Sequence, residues 1–139
     1  MQEHARFIAI EKELQNRSTH SQVQIESAID EHSAVCETAV VGFPHDIKGQ
    51  GIYAFVICYN KPVEEEQLRK EIRETVSRII GPISKPDKIQ FVSGLPKTRS
   101  GKIMRRILRK VAEGDTTNLG DTTTLLDPGI VDEIMTGAL

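Results

Sequence analysis

The chain has 139 residues, of which 38% are apolar and 27% charged, with a formal net charge of −2. That length supports one domain with a sizeable core, and the near-balanced charge supplies no global field to draw in nucleic acid or an anionic membrane. The start, MQEHARFIAIEKELQNRS, is too charged for a signal peptide and no apolar run approaches membrane-spanning length, so a cytoplasmic soluble domain is expected.

Residues 1–16 carry Phe7, Ile8, Ile10 and Leu14 among charges, a helical stripe. Polar residues from Asn16 to Ser21 read as a linker, and Ser21 as the N-cap of a helix over 22–31. Two β-prone runs follow, 34–43 (AVCETAVVGF, closed by Pro44) and 51–59 (GIYAFVICY), separated by the polar turn HDIKGQ at 45–50. Pro62 ends the second strand, since proline cannot donate to a ladder. Cys36 and Cys58 lie in these apolar runs without CxxC or Cys/His spacing, so both are expected to be small buried residues in a reducing compartment, with a disulfide or metal ligation as the second reading.

The span 63–80 is the clearest helix, with Leu68, Ile72, Val76 and Ile79 at three-to-four spacing and Glu64 to Glu66 in its first turn. Gly81-Pro82 stops it. Residues 88–92 form a short strand, and 103–112 a basic amphipathic helix with Ile103, Ile107, Leu108 and Val111 inside. GDTTNL (114–119) and GDTTTL (120–125) form a near-repeat of turn formers, read as an extended, surface-hugging tail. Asp127 then caps a last helix through Met135, with Pro128 at its first position. The element order predicts an α/β (α+β) domain, a small mixed β-sheet flanked by helices.

Between the third strand and the basic helix lies LPKTRSGKIMRR (95–106), dense in cations and held between Pro96 and Gly101. Gly101 permits backbone conformations that Arg99 or Ser100 would resist. Lys102 directly after it can project from a tight turn towards an anion, as a compact charge on a flexible stem. A Walker A loop is excluded: six residues separate Gly94 from Gly101, where that motif has four, and Ile103 stands where Ser or Thr would hold magnesium. By composition alone this could also be a solvated basic hairpin, or a patch for an acidic partner. No aromatics interleave with the cations, which argues against nucleic acid.

PKTRSGKIMRRILRK (96–110) followed by GDTTNLGDTTTLLDPG (114–129) resembles the C-terminal domain of the AMP-forming acetyl-CoA synthetases, in the adenylate-forming superfamily. IESAIDEH (25–32), ETAVVGFPHDIKGQGIYAFV (37–56) and IGPISKPDKIQ (80–90) are similar to the same family in the same order, so the resemblance covers roughly 22–135. It divides the chain into a divergent N-terminal helix and linker (1–21) and a lid domain (22–139). It implies a ligase that joins acetate to ATP with release of pyrophosphate, then passes the acetyl group from AMP to coenzyme A. Mg2+ accompanies ATP in the full enzyme.

The resemblance places Lys102 on the catalytic lysine of adenylation and on a reversible acetylation site, with a protein acetyltransferase and a deacetylase as partners. Neutralising that lysine would remove the charge adenylation requires. Arg99 and Gly101 flank it as substrate-binding positions. For the 3′-phosphate of coenzyme A the family uses an arginine where this chain has Ser77, with Arg78 adjacent and Arg73 a turn earlier; Arg78 either takes that role or is a plain surface arginine. Backbone carbonyls of Asp30, His32 and Val35 match a magnesium-binding segment of some members; the competing reading of His32 is a plain helix-end residue, and His45 has no partner that would make it a base. The family's hinge aspartate and Gly-His-Arg stretch have no counterpart in 1–21, and its large adenylation domain does not match any part of the chain. The expectation is that the isolated chain cannot make acetyl-CoA. The alternative is a stand-alone binding module that complements a separate adenylation domain.

Overall fold

A computed structural model describes residues 18–45, 49–115 and 125–139. The stripe at 1–16 and most of the GDTT tail lie outside the described residues. The elements are α1 (Ser18–Asp30), β1 (Val35–His45), β2 (Gly49–Cys58), α2 (Glu65–Ile79), a 3-10 turn (Pro82–Ser84), β3 (Lys88–Phe91), α3 (Arg105–Ala112) and α4 (Gly129–Thr136). Among the described residues no helix is long and apolar enough to cross a membrane.

The sheet has the order β1-β2-β3, with β1 and β2 antiparallel and β3 parallel to β2. The mixed sheet follows from connection length: a short turn can reverse β1 into β2, whereas the parallel return to β3 needs the α2 crossover. Side chains alternate across it. Ala39, Val41, Phe43, Tyr53 and Phe55 face α3 and α4, burying Ile107, Leu108, Val111, Ile130, Val131 and Ile134. Val40, Ala54, Val56 and Ile89 face α1 and α2, burying Ile25, Ile29, Leu68, Ile72 and Val76. The result is three layers with one core on each side of the sheet.

Helix α1 starts at Ser18, so Ser21 lies inside it rather than at its N-cap. Propensity alone does not mark a start among consecutive polar residues (Ser18, Thr19, Ser21), any of which suits a cap. Helix α2 carries Glu65 and Glu66 in its first turn, and Gly81, at φ 136°, takes the chain out of it through a conformation that L side chains rarely adopt. At α4 the Asp127 carboxylate accepts the Gly129 N–H at 3.1 Å, which makes Asp127 the capping side chain.

The cysteine expectation is corrected. Cys36 is exposed and Cys58 half-buried, and neither is in a disulfide. The register of β1 on β2 shifts between Val35 and Glu37, a bulge that leaves Cys36 without a place in the ladder.

Candidate functional site

Residues 96–104 fold into a small hairpin. Lys97 pairs with Ile103 in an antiparallel bridge. The Thr98 N–H donates to the Lys102 carbonyl at 2.9 Å, and the Gly101 N–H donates back to the Thr98 carbonyl at 2.8 Å. Gly101 sits at φ 88°, the left-handed residue that closes a three-residue hairpin loop. The Thr98 hydroxyl is 2.9 Å from that of Ser100 and accepts the Lys102 N–H at 3.2 Å. The Met104 N–H reaches the Pro96 carbonyl at 2.8 Å, and Thr98 bridges to Leu125 at the start of the final segment. The PKTRSGK string therefore encodes a turn braced by its own backbone bonds and by the Thr98 hydroxyl.

The cations of this region divide by partner. Lys97 Nζ donates to Glu37 on β1 at 2.9 Å. Arg105 forms an ion pair with Glu26 of α1 and donates to the Val40 carbonyl at 3.2 Å. Lys110 lies 3.8 Å from Asp115. Lys102, exposed at the end of the hairpin loop, has no side-chain hydrogen bond or ion pair among the described residues, and Arg99 beside it is also exposed. The loop thus presents Lys102 while Lys97 and Arg105 are held to the domain. An ammonium placed there can meet an external anion without first breaking an internal pair.

Arg78 and Ser77 are remote from this turn. They occupy the end of α2, in the layer on the opposite side of the sheet from α3. Together with Lys70, Arg73, Glu74 and Lys85 they line a shallow depression. Arg73 is committed to the fold: its Nε donates to the Pro86 carbonyl at 3.0 Å and its second nitrogen to the Asp87 carbonyl at 3.2 Å. Arg78 is exposed at the rim.

Asp30, His32 and Val35 belong to the turn between α1 and β1. The Val35 N–H donates to the His32 carbonyl at 3.1 Å, and His32 Nδ1 accepts the Ala34 N–H at 3.1 Å. His32 is thereby a helix-end residue that organises the turn with its side chain. Partial burial pushes the Asp30 carboxyl above its ordinary value; the Thr38 hydroxyl opposes this, while Glu26, Glu37 and Glu31 reinforce it. Among the described residues no group of three His, Cys, Asp or Glu side chains could hold a metal.

Sequence reasoning missed Glu26, Glu37 and Asp87. The first two hold the basic segment, and Asp87 accepts the Ile52 N–H at 2.7 Å while its own N–H donates to the Ile52 carbonyl at 2.8 Å. Their partners are 14 to 79 positions away, so no local spacing signals them.

Residues 24–102 match the family described as the C-terminal domain of AMP-binding enzymes. Over 112 residues the chain is 62% identical to the acetyl-coenzyme A synthetase of Novosphingobium aromaticivorans and 61% identical to that of Xanthobacter autotrophicus. Each match covers 81% of this chain and 17% of the relative, so the chain spans about one sixth of the relatives' length. Among solved structures, the Brucella canis acyl-CoA synthetase has a TM-score of 0.61 at 39% identity, over 64% of this chain and 16% of its own. An anthranilate CoA ligase in complex with anthranoyl-AMP has a TM-score of 0.61 at 35% identity, over 66% of this chain and 18% of its own.

Proposed function

The chain belongs to the family of AMP-binding enzyme C-terminal domains, and we propose that it serves as the lid of an AMP-forming acetate–CoA ligase, with Lys102 as its adenylation lysine. The observation that carries this reading is a single exposed ammonium on a braced glycine turn, in a chain 62% identical to an acetyl-coenzyme A synthetase over 112 residues. When an acetate oxygen attacks the α-phosphorus of ATP and pyrophosphate leaves, negative charge gathers on the transferring phosphoryl group. A preorganised cation lowers the barrier by stabilising that charge. Lysine fits because its flexible stem lets one charge follow carboxylate and phosphate together. Arg99 and the Gly101 backbone, on the same turn, would face the same substrate.

In the second half-reaction the coenzyme A thiol attacks the acyl carbonyl and AMP leaves. For this step the depression at the end of α2 supplies Arg78 and Ser77 for the coenzyme's phosphate, with Lys70 and Lys85 adding positive potential. The two groups lie in different layers of the domain, which suits a lid that turns one side or the other to its adenylation domain. Mg2+ would bind main-chain carbonyls of Asp30, His32 and Val35, a hard cation on oxygen donors, and would add structural rigidity there. Acetylation of Lys102 by a protein acetyltransferase, and its reversal by a deacetylase, would switch adenylation by removing the charge.

The test is to add the purified chain to the large domain of an acetyl-CoA synthetase lacking its own lid and measure acetate-dependent pyrophosphate release. Restored release, reduced roughly 10²- to 10³-fold by Lys102→Ala, is the expected result. A folded chain that restores nothing, or a Lys102→Ala variant as active as the unmodified chain, overturns the reading.

A further inference from the structure

The bulge that exposes Cys36 also sets it beside the other cysteine. Val35 pairs with Cys58 and Glu37 with Ile57, so Val35 and Cys36 together oppose Cys58 on the neighbouring strand. The faces agree. Ala39 and Val41 pack on the α3/α4 side, so alternation puts Glu37 on that side and Cys36 on the other. Val35 and Cys58 both pack against the α1/α2 core, which places all three residues of the bulge on one face. Burial, with the nearby Cys36 as the lesser cause, pushes the Cys58 thiol up. The two sulfurs are thus cross-strand neighbours, one open to solvent and one half-covered, both reduced.

We propose that Cys36 and Cys58 form a reversible oxidation site that closes a cross-strand disulfide on exposure to hydrogen peroxide. Cys36, the exposed sulfur, attacks the peroxide O–O bond and becomes a sulfenic acid, and the departing hydroxide leaves as water. The Cys58 sulfur then attacks the sulfenic sulfur, forming the S–S bond and displacing a second water. Two electrons pass from the sulfurs to peroxide, and both thiol protons end in water. Antiparallel neighbours fall within the Cα separation that a disulfide tolerates. The bond would fasten the start of β1, next to the 31–34 turn, to the end of β2.

The 139-residue chain, purified reduced, is treated with hydrogen peroxide, quenched with iodoacetamide and weighed intact. The expected product is a monomer lighter by about 2 Da, with its Cys36 and Cys58 peptides linked after digestion and its original mass restored by dithiothreitol. Cys36→Ser and Cys58→Ser, checked for native circular dichroism, should each lose that species. Because the linkage is read on the unmutated chain, a variant that misfolds does not obscure the result. Simple gain of oxygen on one sulfur, linkage only between two chains, or two thiols that both remain open to alkylation would each refute the proposal.

Discussion

Lys102 is available because its neighbours are occupied. Lys97 and Arg105 hold Glu37 and Glu26, and the Thr98 and Ser100 hydroxyls hold the turn. Removing the Lys102 side chain therefore breaks no hydrogen bond or ion pair among the described residues. Lys102→Ala should leave stability within about 0.5 kcal/mol of the unmodified chain by thermal melting, so its loss of adenylation in the complementation assay would report chemistry rather than unfolding. Tyr53 shows the opposite case, a polar group serving the interior. Its hydroxyl is buried, donates to Gln90 Oε1 at 2.6 Å and accepts the Leu139 N–H at 3.0 Å, while Gln90 Nε2 donates onward to the Ile134 carbonyl at 2.9 Å. Tyr53→Phe strands the Gln90 oxygen and should cost about 1–3 kcal/mol at neutral pH by denaturant unfolding. Burial also pushes the Tyr53 hydroxyl above its ordinary value of 10.0. The folded state thus favours the neutral phenol, and its contribution is complete below pH 10 and lost as pH rises through the raised value. The stability gap between the unmodified chain and Tyr53→Phe should narrow above that pH; a constant gap would count against the assignment.

A three-stranded sheet has two exposed edges for a single central strand, and here both are closed by charged side chains. On β1 the Glu26 carboxylate accepts the Val40 N–H at 2.7 Å, and Arg105, paired with the same carboxylate, donates to the Val40 carbonyl at 3.2 Å. On β3 the Arg69 Nε donates to the Ile89 carbonyl at 2.8 Å while its guanidinium lies 5.2 Å from the Phe91 ring centre. Open edges invite pairing with other chains, and charges placed on them block it. The β1 closure also links α1, the sheet and α3. Glu26→Ala should therefore cost about 1–3 kcal/mol by leaving the Val40 N–H and the Arg105 guanidinium without their partner. Arg105→Ala should be similar, and the double variant less than the sum of the two, as a double-mutant cycle on chemical denaturation would show. Strand β2 has its own constraint. A side chain on Gly51 would place its Cβ 2.5 Å from the Phe43 ring, across the ladder on β1. Gly51→Ala should then destabilise by about 1–3 kcal/mol in the same measurement.

At the scale of the whole molecule, a sheet of three strands is stable only because both faces are covered. The final segment contributes heavily to one of them: Leu125, Ile130, Val131 and Ile134 are all buried against the α3 side. Fully burying one such side chain is worth about 1.5–3 kcal/mol, and four together rival the net stability of a small domain. A chain ending at residue 115 should lose cooperative thermal unfolding and well-dispersed amide resonances. Retention of a sharp transition would show that the α1/α2 core holds the sheet unaided. The layering also separates the two halves of the proposed chemistry, with the Lys102 hairpin next to α3 and the Ser77–Arg78 end of α2 on the other side.

Local chemistry determined a good deal of this. The stripe of Leu68, Ile72 and Val76 specifies α2 and its buried face, the β-branched and aromatic run at 52–56 specifies β2, and glycine before Lys102 specifies a left-handed turn, because each depends on neighbours within a few positions. The mixed sheet also followed from the lengths of the connections. Only the tertiary structure decided which cations are spent and which are free. Lys97, Lys102 and Arg105 look alike in PKTRSGKIMR, and they separate only once Glu37 and Glu26, 60 and 79 positions away, fold against them. The same holds for the cysteines, whose shared apolar context predicted burial. A one-residue bulge in the β1 register turned Cys36 out to solvent, and register is a property of two strands together that neither strand carries alone.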